Sequence, residues 1–151
     1  MDEQKYAPLK LEHQLCFPLY ACSREIIKQY KPFLDGLGLT YTQYITMLVL
    51  WERRTLTVKE LGSILFLDSG TLTPLLKKLE QRGLITRRRP PEDERSLVVS
   101  LTVAGEILQE HALTIPAQMA RSIRLEPEEA TALRHLLYKL LGQPNAGDEP
   151  L

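Results

Sequence analysis

The sequence has 151 residues, of which 44% are hydrophobic and 25% are charged, and these values predict one ordinary soluble domain. Nineteen Lys and Arg residues balance nineteen Asp and Glu residues, which excludes a wholesale polycation but allows a local basic face. Two cysteines, both early in the chain, are too few for a disulfide framework. The N-terminus lacks a signal-peptide pattern, and no apolar run reaches the ~18 residues of a membrane span. We therefore expect a cytoplasmic protein that does not contact a membrane.

A long helix follows a polar arm at the start of the chain. Residues 1–9 are typical of a loose arm, and from Leu11 to Leu34 the apolar residues recur at helical spacing in two neighbouring stripes. A helix that is apolar over so much of its circumference is typical of one that also packs against a partner chain. Residues 1–40 are therefore expected to form an arm and a dimerisation helix.

Two capping boxes predict the next helices, because a Thr followed three positions later by Gln or Glu satisfies the first backbone N–H groups of a helix. Thr40 begins a helix over 41–53, and Thr57 begins another that runs through Phe66. The pair Thr55–Leu56 between them forms a short extended piece. The spacing thus predicts a helix, a short strand and a second helix.

A further helix is expected to begin near residues 69–71 and to end at Gly83, with Pro74 close to its first turn, where the missing N–H costs little. Residues 84–89 and 96–101 then form the two strands of a hairpin. This order of elements is that of a winged helix-turn-helix, a mainly α fold with a small β-wing.

The C-terminal part of the chain is also predicted to be helical. Thr102 caps a long helix to about Ile123 that Pro116 kinks, and Pro127 opens a last helix to Leu141. We expect the apolar faces of the N- and C-terminal helices to form a dimerisation region. The predicted divisions are 1–40 for the arm and dimerisation helix, 41–102 for the winged helix-turn-helix, 103–141 for the C-terminal dimerisation helices and 142–151 for a disordered tail.

Positive charge is concentrated in one segment of the chain. Between Lys77 and Arg89 there are six basic residues and one acidic residue, Glu80, a formal balance of +5. Such a segment suits contact with phosphates, although a solvated face is the plainer interpretation of any charge run. The order of elements favours DNA, with hydroxyl groups at the start of the basic helix reaching base edges or phosphates and Arg95 at the hairpin tip entering a minor groove. The hydroxyl residues are Ser69, Thr71 and Thr73.

Cys16 is the candidate reactive residue. If its helix starts near residue 14 or 15, Pro18 is tolerated and Cys16 lies in the first turn, where the positive end of the helix dipole favours a thiolate. The alternative is that Cys16 is an inert packed side chain, as we expect for Cys22 from its place in the apolar stripe. Tyrosines on nearby helices can donate phenolic hydrogen bonds to the sulfur. They are Tyr20, Tyr30, Tyr41 and Tyr44.

No metal, cofactor or catalytic constellation is expected. His13, Cys16 and Cys22 match no common zinc spacing, and a fourth ligand is missing. No Ser-His-Asp spacing, phosphate-cradling Gly loop or carboxylate pair rises above chance.

Three segments resemble the MarR family of bacterial winged-helix regulators. Residues 93–96 and 99–105 are similar to the family's wing and the following helix start, and residues 67–80 are similar to its recognition helix. Motifs within residues 14–25 resemble the N-terminal signature of the organic hydroperoxide resistance regulators, a subgroup of that family. The resemblance covers about residues 11–141.

This resemblance implies a homodimeric repressor that binds pseudo-palindromic double-stranded DNA operators and releases them when organic hydroperoxides oxidise Cys16. It also implies that Tyr30 and Tyr41 donate hydrogen bonds to the thiolate, largely across the dimer. Because no cysteine follows Cys22, the chain resembles the one-cysteine type, although Pro18 stands where a helix former is usual. The expected DNA-binding residues are Ser69, Thr71, Thr73, Lys77, Lys78, Asp93 and Arg95.

Two other functions are left open by the residues. One is a repressor released from DNA by a reversible small-molecule ligand, with Cys16 as a structural residue. The other is a thiol peroxidase that uses Cys16, but this activity needs a recycling thiol and leaves the basic helix and the wing without a role. We therefore expect a regulator and not an enzyme.

The two cysteines are not expected to bridge each other after oxidation. Six helical residues separate them by about 9 Å of rise, whereas bridged Cα atoms lie within about 4.4–6.8 Å of each other. A sulfenic acid at Cys16 is therefore expected to react with a small thiol or to oxidise further, and the mixed disulfide, not the acid alone, is expected to give lasting release from DNA.

Overall fold

The fold is known from a computed structural model that describes residues 3–143; the predicted tail from residue 144 onward lies outside this range. The chain divides into two compact units, Met1–Pro116 and Ala117–Leu151. Within the described range, no helix is both long and apolar enough to cross a membrane. The helices are α1 (Cys16–Asp35), α2 (Tyr41–Arg53), α3 (Val58–Leu65), α4 (Ser69–Gln81), α5 (Val103–Ala112), α6 (Ile115–Ser122) and α7 (Pro127–Leu140), and the strands are β1 (Thr55–Thr57), β2 (Ile85–Arg88) and β3 (Val98–Leu101).

The three strands form one small antiparallel sheet in the first unit. Strand β3 lies between β1 and β2 and pairs with both, so that Val99 is opposite Leu56 in β1 and opposite Arg87 in β2. The short extended piece predicted after α2 is therefore the third strand of the wing sheet. Helices α3 and α4 come between β1 and β2 in the chain, which is the predicted order of a winged helix-turn-helix.

The predicted helix starts in this unit are confirmed. Thr40 accepts a hydrogen bond from the backbone N–H of Gln43, and the Gln43 side chain accepts one from the N–H of Thr40. Thr57 and Glu60 form the same reciprocal pair at the start of α3. Each pair satisfies backbone donors that would otherwise lack a partner at the helix start.

The N-terminal arm is more regular than the prediction of a loose segment. Ala7–Leu9 and Leu11–His13 each form a short 3-10 helix, and α1 begins only at Cys16. The Gln14 side chain donates to the backbone carbonyls of Pro8 and Lys10, which ties the arm back on itself. The predicted helical stripe from Leu11 is therefore interrupted before α1.

Two prolines differ from expectation. Pro74 lies inside α4, beyond its first turn, so the helix forgoes the hydrogen bond that residue 74 would donate. Residues 103–122 form two helices instead of one kinked helix, with α5 ending at Ala112 and Pro116 in the first turn of α6. The Pro116 ring would clash with the Ala112 carbonyl in a continuous helix, and a new helix start accepts the proline without loss.

The core of the first unit lies between α2, α3, α4 and the sheet. A buried indole anchors α5 to it, since Trp51 Nε1 donates a 2.9 Å hydrogen bond to the carbonyl of Gly105. Gly105 also lies so close to the Leu84 carbonyl that a Cβ atom at this position would clash with it. The fully buried side chains are Leu34, Thr46, Met47, Leu50, Leu61, Leu72, Leu76, Leu79, Ile85 and Val99.

Large apolar side chains are exposed in both units when the chain is considered by itself. In the first unit the longest run follows the arm and α1 and comprises Tyr6, Leu9, Leu11, Leu15, Phe17, Leu19, Tyr20, Ile26 and Ile27, while others lie on or beside α2, α3 and α5. In the second unit Ile123 and Leu125 precede α7, and Leu133, Leu136, Leu140 and Leu141 follow α7 and its end. Apolar surface of this extent is typical of faces that another molecule covers.

Candidate functional site

The start of α4 presents the predicted hydroxyl groups at the surface. Asp68 caps the helix by accepting a 2.7 Å hydrogen bond from the Thr71 backbone N–H, and this bond lowers the pKa of the Asp68 carboxyl. Ser69, Thr71 and Thr73 are exposed. The Thr73 hydroxyl donates to the Ser69 carbonyl at 2.8 Å, which leaves the Thr73 oxygen as an acceptor. The three predicted residues thus share one exposed helix end.

The basic segment separates into side chains that face solvent and side chains that hold the fold. Lys77 and Lys78 are exposed on α4. Arg82 instead donates to the carbonyls of the loop after α1, and Arg87 pairs with Glu80. The balance of +5 along the sequence therefore overstates the number of cations available to a ligand, because three of the six, Arg82, Arg87 and Arg89, already have protein partners.

The wing tip is shaped by Asp93. Its carboxylate accepts hydrogen bonds from the Arg95 backbone N–H at 3.2 Å and from the Ser96 hydroxyl at 2.8 Å. Arg89 donates to the Glu94 carbonyl at 3.1 Å across the same tip. The Arg95 side chain is exposed at the tip. Asp93 thus serves the shape of the tip, and Arg95 is the cation that the tip presents.

Cys16 is the first residue of α1 and is exposed, as its predicted place in the first turn requires. The preceding residue, Leu15, supplies no capping side chain, so no side chain at the cap position occupies the N–H groups of this first turn. Pro18 falls within the same turn, where its missing N–H costs nothing. Cys22, for which packing was expected, is also exposed on the described chain.

Three tyrosines cluster where α1 meets α2. The rings of Tyr30 and Tyr41 lie 4.9 Å apart between centroids, and Tyr44 lies 5.7 Å from Tyr30 and 6.4 Å from Tyr41. Burial, reinforced by the two neighbouring phenols, raises the pKa of Tyr30 to about 12. Tyr30 therefore keeps its hydroxyl proton at neutral pH and remains a hydrogen-bond donor.

Cys16 and the tyrosine cluster are far apart within one chain. Fourteen residues of α1 separate Cys16 from Tyr30, which corresponds to about 21 Å along the helix axis. The fourth candidate, Tyr20, lies four residues after Cys16 on α1; its oxygen accepts a 3.2 Å hydrogen bond from Arg24, and its O–H remains a donor. The structure thus brings Tyr30 and Tyr41 together but does not bring either to Cys16 of the same chain.

The sequence did not reveal the partners of Arg82, Arg87 and Trp51. Arg87 donates to Glu80 from both its backbone N–H and its guanidinium, which joins β2 to α4. Arg82 joins α4 to the loop after α1, and Trp51 joins α2 to α5. Within residues 3–143, no group of three or more His, Cys, Asp or Glu side chains is arranged to hold a metal ion.

A three-stranded wing, a helix pair with an exposed hydroxyl-rich end and a basic face define a winged-helix transcriptional regulator of the MarR type. Residues 28–115 match a family described as Transcriptional regulator SarA/Rot. The Organic hydroperoxide resistance transcriptional regulator of Bacillus subtilis (strain 168) is 55% identical over 139 residues, which cover 92% of this chain and 95% of that protein. The chain therefore belongs to the MarR family of winged-helix regulators, within its organic hydroperoxide resistance subgroup.

Solved structures of AbfR, a protein of Staphylococcus epidermidis, have the same fold. Reduced AbfR bound to DNA is 36% identical, with a TM-score of 0.76, and the match covers 89% of this chain and 95% of that one. Overoxidized AbfR bound to DNA is 34% identical, with a TM-score of 0.73, and the match covers 94% of this chain and 98% of that one.

Proposed function

We propose that this protein is a homodimeric repressor that binds pseudo-palindromic DNA in the cytoplasm and releases it after an organic hydroperoxide oxidises Cys16. The observation that carries the sensing role is the position of Cys16, exposed in the uncapped first turn of α1. Exposure gives a hydroperoxide access to the sulfur, and no capping side chain competes with the sulfur for the N–H groups of the first turn. The name of the Bacillus subtilis relative supports hydroperoxide as the oxidant.

The DNA-binding role rests on the exposed end of α4 and on the wing. Ser69, Thr71 and Thr73 would contact base edges or phosphates in a major groove, while Lys77 and Lys78 would neutralise phosphates. Arg95 at the wing tip would enter the adjacent minor groove. Asp93 would act indirectly, since its hydrogen bonds hold the tip in shape. DNA-bound AbfR, which has the same fold, supports this assignment.

The dimer rests on the exposed apolar surface of the chain. The exposed apolar side chains of α1 and α7 call for a covering surface, and a second copy of the chain supplies one to both. If Tyr30 and Tyr41 contact a Cys16 sulfur, as the family resemblance implies, the separation of about 21 Å between Cys16 and Tyr30 along α1 requires that sulfur to belong to another chain. We therefore propose that Tyr30 and Tyr41 of one chain donate hydrogen bonds to Cys16 of its partner.

The first chemical step is a two-electron oxidation of sulfur. The Cys16 thiolate takes the terminal OH group of the hydroperoxide ROOH, the O–O bond breaks, and the alkoxide takes a proton from water to leave as the alcohol ROH. Sulfur is oxidised to a sulfenic acid, and the hydroperoxide is reduced to the alcohol. Phenolic donors that stabilise the thiolate would raise the fraction of Cys16 that is ready to react.

The second step is condensation with a small thiol. The thiol sulfur bonds to Cys16, the S–O bond of the sulfenic acid breaks, and water leaves with the thiol proton. The mixed disulfide is a bulky adduct that must displace its packed neighbours in the dimer, whereas added oxygen atoms are smaller. Overoxidized AbfR bound to DNA supports the idea that oxygen addition alone permits DNA binding in this fold.

The test uses a duplex that the reduced protein selects from random-sequence DNA. Binding is measured with and without cumene hydroperoxide, and with and without added cysteine as the small thiol, while intact mass reports the state of each chain. We expect release that coincides with one cysteine adduct per chain. Cys22→Ser, the matched control, should behave as the unmodified sequence does, and Cys16→Ser should stay bound.

Two results would contradict the proposal. Equal release of the Cys16→Ser protein would favour a reversible ligand and a structural Cys16. Sustained consumption of hydroperoxide at the expense of excess thiol would favour a peroxidase, whereas a sensor reacts about once per Cys16.

A further inference from the structure

The C-terminal end of α4 is tied directly to the end of α1 by one arginine. Arg82, which caps α4, donates from Nη1 to the Gly38 carbonyl at 2.6 Å and from Nη2 to the Leu37 carbonyl at 2.9 Å. A planar guanidinium that bonds two neighbouring carbonyls fixes both distance and direction. Among the hydrogen bonds of residues 3–143, these two join the loop after α1 to α4.

The loop that Arg82 holds is itself fixed to α1. The Leu34 carbonyl accepts hydrogen bonds from the N–H groups of both Leu37 and Leu39, at 3.0 and 3.1 Å. Gly38 adopts a positive φ of 66°, and a Cβ atom at that position would lie 3.2 Å from the Arg82 guanidinium. The loop therefore has little freedom to move without α1, and Arg82 sits against it closely.

We infer that Arg82 is a positioning residue that couples the redox state of Cys16 to the placement of α4. The inference rests on the proposed function, because it takes Cys16 as the sensor and α4 as the helix that reads DNA. Cys16 is the first residue of α1, and Arg82 is hydrogen-bonded to the loop that follows the other end of the same helix. A displacement of α1 by an adduct at Cys16 is therefore delivered to α4 through two hydrogen bonds of fixed geometry.

Apolar packing also joins these elements, but it transmits motion differently. Helices packed through apolar side chains slide by small amounts at low cost, which absorbs a displacement. Arg82 is exposed, so water hydrates the guanidinium when its hydrogen bonds break, and the coupling rests on geometry: a planar group bonded to two neighbouring carbonyls either follows the loop or separates from it. Loss of Arg82 should thus uncouple the two helices while leaving the apolar core in place.

The experiment measures how strongly the modification of Cys16 changes the affinity for DNA, and not the affinity alone. The Kd for the selected duplex is measured for reduced protein and for protein treated with cumene hydroperoxide and cysteine, and the ratio of the two is the coupling. Arg82→Ala should lower this ratio by about 5-fold or more, which is the lower end of typical allosteric coupling. Arg53→Ala is the matched control, since Arg53 is an exposed arginine of the same unit that pairs with Glu52.

Intact mass shows that Cys16 is modified to the same extent in every variant. A merely structural role would weaken DNA binding equally in both states, and an unchanged ratio in Arg82→Ala would overturn the inference. Arg82→Lys retains the charge but cannot bond two carbonyls with the same geometry. If Arg82→Ala does not fold, the ratio of Kd values is measured for Arg82→Lys instead, and an unchanged ratio there would overturn the inference. Should the unmodified sequence itself show a ratio of one, the proposed function fails, and the inference fails with it.

Discussion

Glu80 of α4 accepts hydrogen bonds from both the backbone N–H and the guanidinium of Arg87 in β2, at 3.0 and 3.1 Å. The Arg87 side chain is only 16% exposed, and within the described range its Nε atom has no hydrogen-bond partner. Glu80 therefore neutralises a largely buried cation and at the same time fixes the wing sheet to the helix proposed to read DNA. This pair holds at one spacing the two parts of the unit that are proposed to contact DNA.

We expect Glu80→Gln to weaken the contribution of the wing to DNA binding. In the unmodified sequence Arg95→Ala should cost about 1–3 kcal/mol of DNA affinity. In the Glu80→Gln background the same substitution should cost less, because a wing that is no longer held in place makes its contact less often. A double-mutant cycle on Kd measures this difference, and strictly additive effects would show that Glu80 does not position the wing.

The Glu80–Arg87 pair should also make the stability of the folded state depend on pH. Hydrogen bonds from the Arg87 guanidinium, aided by its charge, hold the pKa of Glu80 below its usual value of 4.5. A carboxyl whose pKa is lowered by folding stabilises the folded state above its ordinary pKa, and this stabilisation is lost as pH falls through the lowered value. Any effect of Glu80→Gln on unfolding should accordingly shrink below pH 4.5.

Lys77 and Lys78 should account for part of the salt dependence of DNA binding. Each phosphate contact contributes about one unit to the slope of log K against log salt, so the double substitution to Ala should flatten that slope by about two. Lys31→Ala is the control, since Lys31 on α1 pairs with Asp35. A slope that stays the same in the double variant would remove both lysines from the proposed interface.

Tyr30→Phe and Tyr41→Phe should slow the modification of Cys16 by hydroperoxide. A hydrogen bond to a charged group contributes about 1.5–3 kcal/mol, so the loss of one should reduce the rate about tenfold or more. Tyr44→Phe is the matched control from the same cluster, because Tyr44 is not proposed to reach the sulfur. The rate is followed by intact mass, and sedimentation verifies that each variant is still a dimer; equal rates in all three variants would contradict the assignment.

Tyr30 should make the fold sensitive to strong alkali. Burial raises the pKa of its phenol to about 12 from an ordinary value of 10.0, so the folded state holds this proton more tightly than the unfolded state does. The resulting stabilisation is complete below pH 10 and is lost as pH rises toward 12. The free energy of unfolding, measured with a chemical denaturant between these pH values, should decline less steeply with pH for Tyr30→Phe than for the unmodified sequence. An identical decline in both proteins would show that another group titrates.

Oxidation without added thiol should not link Cys16 to Cys22. Both residues lie in α1, where six positions correspond to about 9 Å of rise, and a disulfide would require the helix between them to unwind. With one equivalent of cumene hydroperoxide, we expect intact mass to show oxygen addition and Cys22→Ser to react at the same rate. A main product two hydrogens lighter, absent in Cys22→Ser, would refute this geometry.

The sequence predicted those parts of the fold that depend on neighbours along the chain. Capping by Thr40 and Thr57 involves partners three positions away, and such patterns can be read directly. The partners of Arg82 lie 44 and 45 positions away, so its role in joining α4 to the loop after α1 could not be read from the sequence. Pro116 was recognised as a disturbance, but the local pattern did not distinguish a kink from a new helix start.

The same contrast between local patterns and contacts of the folded chain applies to the residues of the candidate site. The position of Cys16 at a helix start can be read from the sequence because a helix start is a local feature, whereas Tyr30 and Tyr41, which lie together in the structure, are selected only by resemblance to a family. The shaping role of Asp93 required the hydrogen bonds of the folded tip. Exposure of Cys22 was not predicted, since a stripe in one helix does not tell whether its own chain or another covers it.

The distance between Cys16 and Tyr30 along α1 makes the response to hydroperoxide depend on the cellular concentration of the protein. On the proposed function, a newly made chain lacks the phenols of Tyr30 and Tyr41 beside its Cys16 sulfur, so it reacts more slowly with hydroperoxide until it finds a second copy. Sensitivity then rises with the number of copies per cell, and cell growth that dilutes the protein reduces the response before any oxidant is encountered.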